Sequence, residues 1–173
     1  MNVVNNKIPS IDGKGLMMGR PSYTDDLAEK NSLIVKLLRS PHPYAKILNI
    51  DDTEAKKIPG VKLILTHKDF TRKSFTRAVQ GYPEPSPHDK FVLDEYVRHI
   101  GDEVCCVAAI SEEICEEALK LIKVKYEVLE PILDFEDAMD NKIIIHPEDG
   151  IHEMFPIGFE PKRNIAASYQ MEV

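Results

Sequence analysis

The chain has 173 residues, 43% of them apolar, which is enough for one domain burying roughly 68–70% of its unfolded surface without staples. Its 22 Lys and Arg stand against 29 Asp and Glu, and the net charge of −7 speaks against nonspecific attraction of the whole chain to nucleic acid or to an anionic membrane. No apolar run approaches the ~20 residues of a membrane helix, residues 1–7 lack the pattern of a secretory leader, and three cysteines make no disulfide framework, so a cytoplasmic protein with reduced thiols is expected.

In chain order, Ile8 to Arg20 carries Gly13, Gly15 and Gly19 without clear periodicity and reads as an irregular N-terminal arm. Leu33 to Arg39 is a β-rich stretch, broken by Ser40-Pro41-His42-Pro43, after which Tyr44 to Ile50 resumes as a second strand. Asp52 is the expected N-cap of a short helix through Lys57, ended by Pro59-Gly60, and Val61 to Thr66 alternates as a third strand.

Glu103 to Ile110 is nearly all apolar and predicts a strand covered on both faces. Ser111 is placed to cap the helix that follows, with Glu112 and Glu113 in its first turn and Ile114, Ala118, Leu119 and Ile122 at helical spacing. Lys123 to Val128 alternates as a strand, and a second short helix is expected from near Asp134, with Ala138 and Met139 on its inner side. At the end, Ile165, Ala167, Tyr169, Met171 and Val173 alternate with polar or small residues, which predicts a terminal strand and a chain that is one piece of something larger. Strands and helices mix without a strict repeat, so the expected class is α+β with a mixed β-sheet and a few short helices.

The apparent chemical motifs reduce to structural ones. Gly13-Lys-Gly-Leu-Met-Met-Gly19 has a dinucleotide-like look, yet its spacing is one residue too long and no apolar strand precedes it. The six histidines include no helical i, i+4 pair and no accompanying Cys-x-x-Cys, so zinc ligation lacks its usual spacing. Cys105 and Cys106 face opposite sides of one strand and Cys115 lies in a helix, which suits small buried side chains better than a shared metal. His99, near Asp102 and Glu103, has no partnering nucleophile and reads as part of a turn.

Several segments together carry a resemblance: Pro21-Ser-Tyr-Thr-Asp-Asp26, Leu38-Arg-Ser-Pro-His-Pro-Tyr-Ala-Lys-Ile47, Ile58-Pro-Gly-Val61 with Leu65-Thr-His-Lys-Asp69, Val97-Arg-His-Ile-Gly-Asp-Glu-Val104, and Glu116 through Pro131. In order and with short gaps, Pro21 to Glu148 resembles the N-terminal α/β hammerhead domain of the molybdenum-binding subunit of the xanthine dehydrogenase and aldehyde oxidase family. The resemblance implies an arm over residues 1–20, the hammerhead domain over 21–150, and a connecting segment over 151–173 leading into the next domain. It further implies a parent oxidoreductase that hydroxylates purines or aldehydes with a molybdopterin cofactor, passing electrons to iron-sulfur clusters and FAD on partner domains or subunits. The general base and the cofactor-binding region of that family follow the hammerhead, so no catalytic, cofactor-binding or metal residue is assigned here and the stretch is expected to be inert alone. Its expected partners are the remainder of its own subunit and the FAD and iron-sulfur units, with no nucleic acid and no membrane.

The segment from Lys68 to Asp89 interleaves Phe70, Phe75 and Tyr82 with Arg72, Lys73 and Arg77, and is long for a plain connection. In the resembled family the corresponding loop approaches the substrate channel, so Phe75 and Tyr82 are the candidates for its wall, against aromatics that simply pack on neighbouring domains. An alternative function is a free-standing module whose basic and aromatic 68–89 loop binds an anionic ligand or a single strand of nucleic acid. Ile143 to Phe159, with Ile151, Met154, Phe155 and Ile157, is the expected contact strip toward a neighbouring domain, open to rapid amide exchange when isolated.

Overall fold

The computed structural model describes residues 7–8, 10–20, 23–78 and 86–170, so Tyr82 and Met171 to Val173 lie outside the described residues. The chain divides into two units, Met1–Ser32 and Leu33–Val173. In the first, the stretch expected to be an irregular arm contains one short helix, α1 (Gly13–Met17). Asp12 precedes it without making a side-chain cap, and none of its residues is buried. Two glycines carry no side chain to define a face, which is why no periodicity marks this helix in the sequence.

Among the described residues the second unit holds six strands: β1 (Ile34–Arg39), β2 (Ala45–Asp51), β3 (Val61–Thr66), β4 (Tyr96–Val97), β5 (Glu103–Ala109) and β6 (Lys123–Val128). They form two three-stranded sheets, β1-β5-β3 and β4-β2-β6. Every pairing between these strands is antiparallel, which corrects the expected mixed sheet. The turn at Ser40-Pro41-His42-Pro43 separates β1 from β2 as expected, but it sends the two strands into different sheets. Pro41 and Pro43 supply no N–H, and Ser40 Oγ accepts from the His42 N–H at 3.0 Å, so the chain turns away instead of continuing the ladder.

Helix α2 (Glu112–Leu121) follows β5 and packs on one face of the first sheet. Ser111 Oγ accepts from the Ile114 N–H, as its position predicted, and Cys115 and Ala118 turn inward. Together with Ala55, Ile64, Cys105, Val107, Ala109 and Ile122 they form the larger core, while Ala45, Ile47, Val97 and Val104 form a second. Leu38, Ile50 and Val124 pack against both clusters and so join the two sheets. Val97, Val104 and Val107 are fully buried, each contributing on the order of 1.5–3 kcal/mol of transfer free energy. Gly60 lets the chain pass under α2: at φ +101° its absent Cβ would lie 2.7 Å from Ile114 Cδ1.

Other expectations are corrected. The helix predicted from Asp52 is a 3-10 turn, Ala55–Lys57, preceded by Glu54, while Asp52 accepts the Lys56 N–H through its backbone carbonyl and pairs with the Lys56 ammonium. Near Asp134 there is likewise only a 3-10 turn, Phe135–Asp137, too short to create an inner side, so Ala138 is half-buried and Met139 exposed. Residues 166–170 form no strand. Ile165 makes a single bridge to Glu160, because Pro161 starts a turn and Gly158, at φ +72°, bends the neighbouring segment away. Within the expected contact strip Ile157 is buried, whereas Met154 and Phe155 are exposed.

Candidate functional site

Around the 68–89 loop the structure assembles a network of charged side chains rather than an open site. Arg98 follows the fully buried Val97 of β4, and its side chain is only 6% exposed. Its guanidinium donates to Asp94 at 2.8 Å, to Glu148 at 2.6 Å and to the Ile145 carbonyl at 3.0 Å. Asp94 also accepts from Arg72 at 2.9 Å, and Arg72 lies 4.0 Å over the Phe91 ring. Glu148 takes a further contact from His146 Nδ1 at 3.0 Å, while its Oε2 is buried without a hydrogen-bond partner among the described residues.

A third carboxylate, Asp102, accepts from Lys90 at 2.9 Å and from the Arg98 backbone N–H at 2.8 Å. Burial works to raise the pKa of this carboxyl, but the two donors outweigh it and hold Asp102 below the ordinary carboxylate range. Glu148 is held below its ordinary range in the same way, with burial opposed by His146 and Arg98. Such a network needs every member, because removing one charge leaves another buried and unpaired.

Beside it lies a cleft of about 330 Å³ lined by Pro43, Tyr44, Arg98, Ile100, Ile143 and Ile145 among others. Tyr44 donates to the Ile144 carbonyl at 3.1 Å, and burial raises the pKa of its phenol. The walls are mostly apolar and suit a hydrophobic side chain or ring. Ser74 and His152 come within 3.3 Å, but the Ser74 hydroxyl donates to the Gly150 carbonyl at 2.7 Å, which leaves that proton committed to the backbone. Among the described residues no group of three or more His, Cys, Asp or Glu is placed to hold a metal ion, and no helix is long and apolar enough to cross a membrane.

Of the two candidates for a channel wall, Tyr82 lies outside the described residues. Phe75 is half-buried and exchanges backbone hydrogen bonds with Lys90, at 2.8 and 3.1 Å, which pins the start of the loop to its end. It does not line the 330 Å³ cleft. Two of the loop's basic residues are engaged within the chain, Arg72 with Asp94 and Arg77 with Glu103, which weakens the case for an anion-binding loop. His99 is half exposed in the turn expected there, its Nε2 3.4 Å from Asp102. The roles of Asp94, Arg98 and Glu148 are not legible from spacing, since Arg98 and Glu148 stand 50 positions apart. The only local hint is charge flanking the apolar pair Tyr96-Val97.

Cys105 and Cys115 are buried and Cys106 half-buried, and all three are free thiols, in agreement with the packing role expected of them. Burial pushes the Cys105 thiol up to about 12, so it has no nucleophilic character at neutral pH.

Residues 18–130 match the family model described as the a/b hammerhead domain of aldehyde oxidase and xanthine dehydrogenase. The probable hypoxanthine oxidase XdhD of Escherichia coli K12 is 35% identical over 97% of this chain and 20% of its own length. The xanthine dehydrogenase molybdenum-binding subunit of Escherichia coli O157:H7 is 31% identical over 75% of this chain and 18% of its own. Among solved structures, the aldehyde oxidoreductase of Desulfovibrio gigas superposes with a TM-score of 0.65 at 28% identity, covering 80% of this chain and 16% of that one. The chain thus spans about a fifth of the length of these relatives.

Proposed function

Because the chain belongs to the aldehyde oxidase and xanthine dehydrogenase family through its α/β hammerhead domain, we propose that it is the structural part of a molybdopterin-dependent hydroxylase acting on purines or aldehydes in the cytoplasm. The observation that carries this reading is the Arg98 network. Its buried charges are spent on one another, tying the segment 94–102 to 145–148, and Arg98, which borders the 330 Å³ cleft, has its guanidinium engaged by Asp94, Glu148 and the Ile145 carbonyl. A domain built so is a rigid frame.

In this reading residues 1–20 are an arm, 21–150 the hammerhead and 151–173 the lead into a following domain. The described residues do not fit a molybdenum centre. Cys105 and Cys115 are buried in the core, and the acidic side chains near Arg98 are already paired. The molybdopterin group is therefore assigned to the larger remainder of the subunit, and the iron-sulfur clusters and FAD to partner domains or subunits. Phe75 and Tyr82 are proposed to border the substrate entrance of the assembled enzyme.

The test is the intact mass of the native polypeptide, with molybdenum determined on the same purified sample. A chain several times longer that carries molybdenum is expected. A free 173-residue chain without metal would overturn the reading.

A further inference from the structure

The two sheets treat their outward faces differently. In β4-β2-β6, the outward rows pair Lys46 with Glu127, Asn49 with Lys125 and Asp51 with Lys123. That is a surface made for water, as expected of an antiparallel sheet with one covered face. In β1-β5-β3, the face under α2 carries Lys36, Val107 and Ile64 in one row, and Lys36 reaches Glu116 of the helix at 2.6 Å. The opposite face carries the rows Val35-Ala108-Leu63 and Leu37-Cys106-Leu65, with no charged side chain in either. Val35 is 59% exposed, Leu63 49% and Leu37 36%. Adjacent rows on one face of a sheet form a continuous patch, and a contiguous apolar patch is a contact surface.

We propose that this face of the β1-β5-β3 sheet is an interdomain docking surface, covered by the molybdenum-binding remainder of a parent polypeptide. The inference rests on the function proposed above. The chain spans about a fifth of its relatives, so four-fifths of such a polypeptide is available to cover it. Its chemistry fits a permanent neighbour better than a transient partner, because obligate interfaces are apolar and lack charge at their centre. Arg39, Glu103 and Arg77, linked in ion pairs at one end of the sheet, supply a polar rim. The occupant must present a matching apolar surface, without a charged group opposite Cys106 and Ala108.

Thiol labelling tests this. Leu63→Cys and Val35→Cys are introduced separately, with Lys125→Cys as a control on the polar outward face of the other sheet. Maleimide labelling of each site is followed by peptide mass mapping, in the isolated molybdenum enzyme and in the 173-residue chain. At both sheet positions the labelling rate is expected to fall at least tenfold in the molybdenum enzyme, while Lys125→Cys labels alike in both. Equal rates at Leu63→Cys and Val35→Cys in an enzyme of full length and full molybdenum content would overturn the docking face and leave the proposed function standing. Protection that already appears in the 173-residue chain and grows with its concentration would overturn it in favour of a second copy. Absence of any longer molybdenum polypeptide would remove both proposals together.

Discussion

Arg98 and Glu148 meet through a 2.6 Å hydrogen bond with both side chains 6% exposed or less, although 50 positions separate them in the chain. This contact fastens the segment after β6 to the end of β4. Arg98→Ala should destabilise the chain by about 3–5 kcal/mol, since it takes the buried cation from between Asp94 and Glu148 and leaves them only Arg72 and His146 as side-chain partners. The shift of the urea midpoint measures it. An unchanged midpoint would show that the network contributes nothing.

Acid should weaken the same region. Asp102 and Glu148 are both held below the ordinary carboxylate range when folded, so the unfolded chain takes up protons at a higher pH than the folded one. Their contribution is present above the unfolded pKa of about 4 and is lost as the pH falls through the lower folded values. The carboxylate-dependent part of the stability in urea titrations should decline below about pH 4, and Asp102→Asn should flatten that decline. A decline as steep in Asp102→Asn as in the parent chain would assign the acid sensitivity elsewhere.

Gly60→Ala should cost roughly 1–3 kcal/mol, through the positive φ and the pressure of the new methyl on Ile114 and Ile110. Thermal unfolding would detect this as a lower midpoint. Ser111→Ala, which removes the N-cap of α2, should cost about 1 kcal/mol in the same assay.

Phe75→Ala and Tyr82→Ala in the parent enzyme should raise KM for bulky substrates more than they lower kcat, as expected of groups at an entrance rather than at the reacting atoms. Both constants unchanged for every substrate tried would remove these residues from the channel.

Much of the fold is legible in the sequence where the physics is local. β3 and β6 have the bounds their alternation predicts, and α2 begins where Ser111 caps it. The expected mixed sheet failed because orientation depends on which strands meet, and β1 meets β5 across the whole β2, β3 and β4 region. Over the described residues 165–170 the terminal alternation has only the Ile165–Glu160 bridge, so that part of the pattern has no continuous partner. Met139 was misplaced because helical spacing was extended over a turn of three residues. The Arg98 network was illegible for the same reason as the sheets. Its members become neighbours only after the chain has folded.

The strand order also bears on how the protein is made. β1, β2 and β3 are the first to be synthesised, and none pairs with another: β1 and β3 await β5, and β2 awaits β4 and β6. A ribosome adding ~5–20 residues per second separates the end of β1 at Arg39 from the start of β5 at Glu103 by about 3–13 seconds. During that interval three emerging β-segments, rich in Ile, Val and Leu, have open hydrogen-bonding edges. The nascent chain is thus a substrate for holding chaperones until β5 arrives, and slowing translation just upstream of Glu103 should lower the soluble yield.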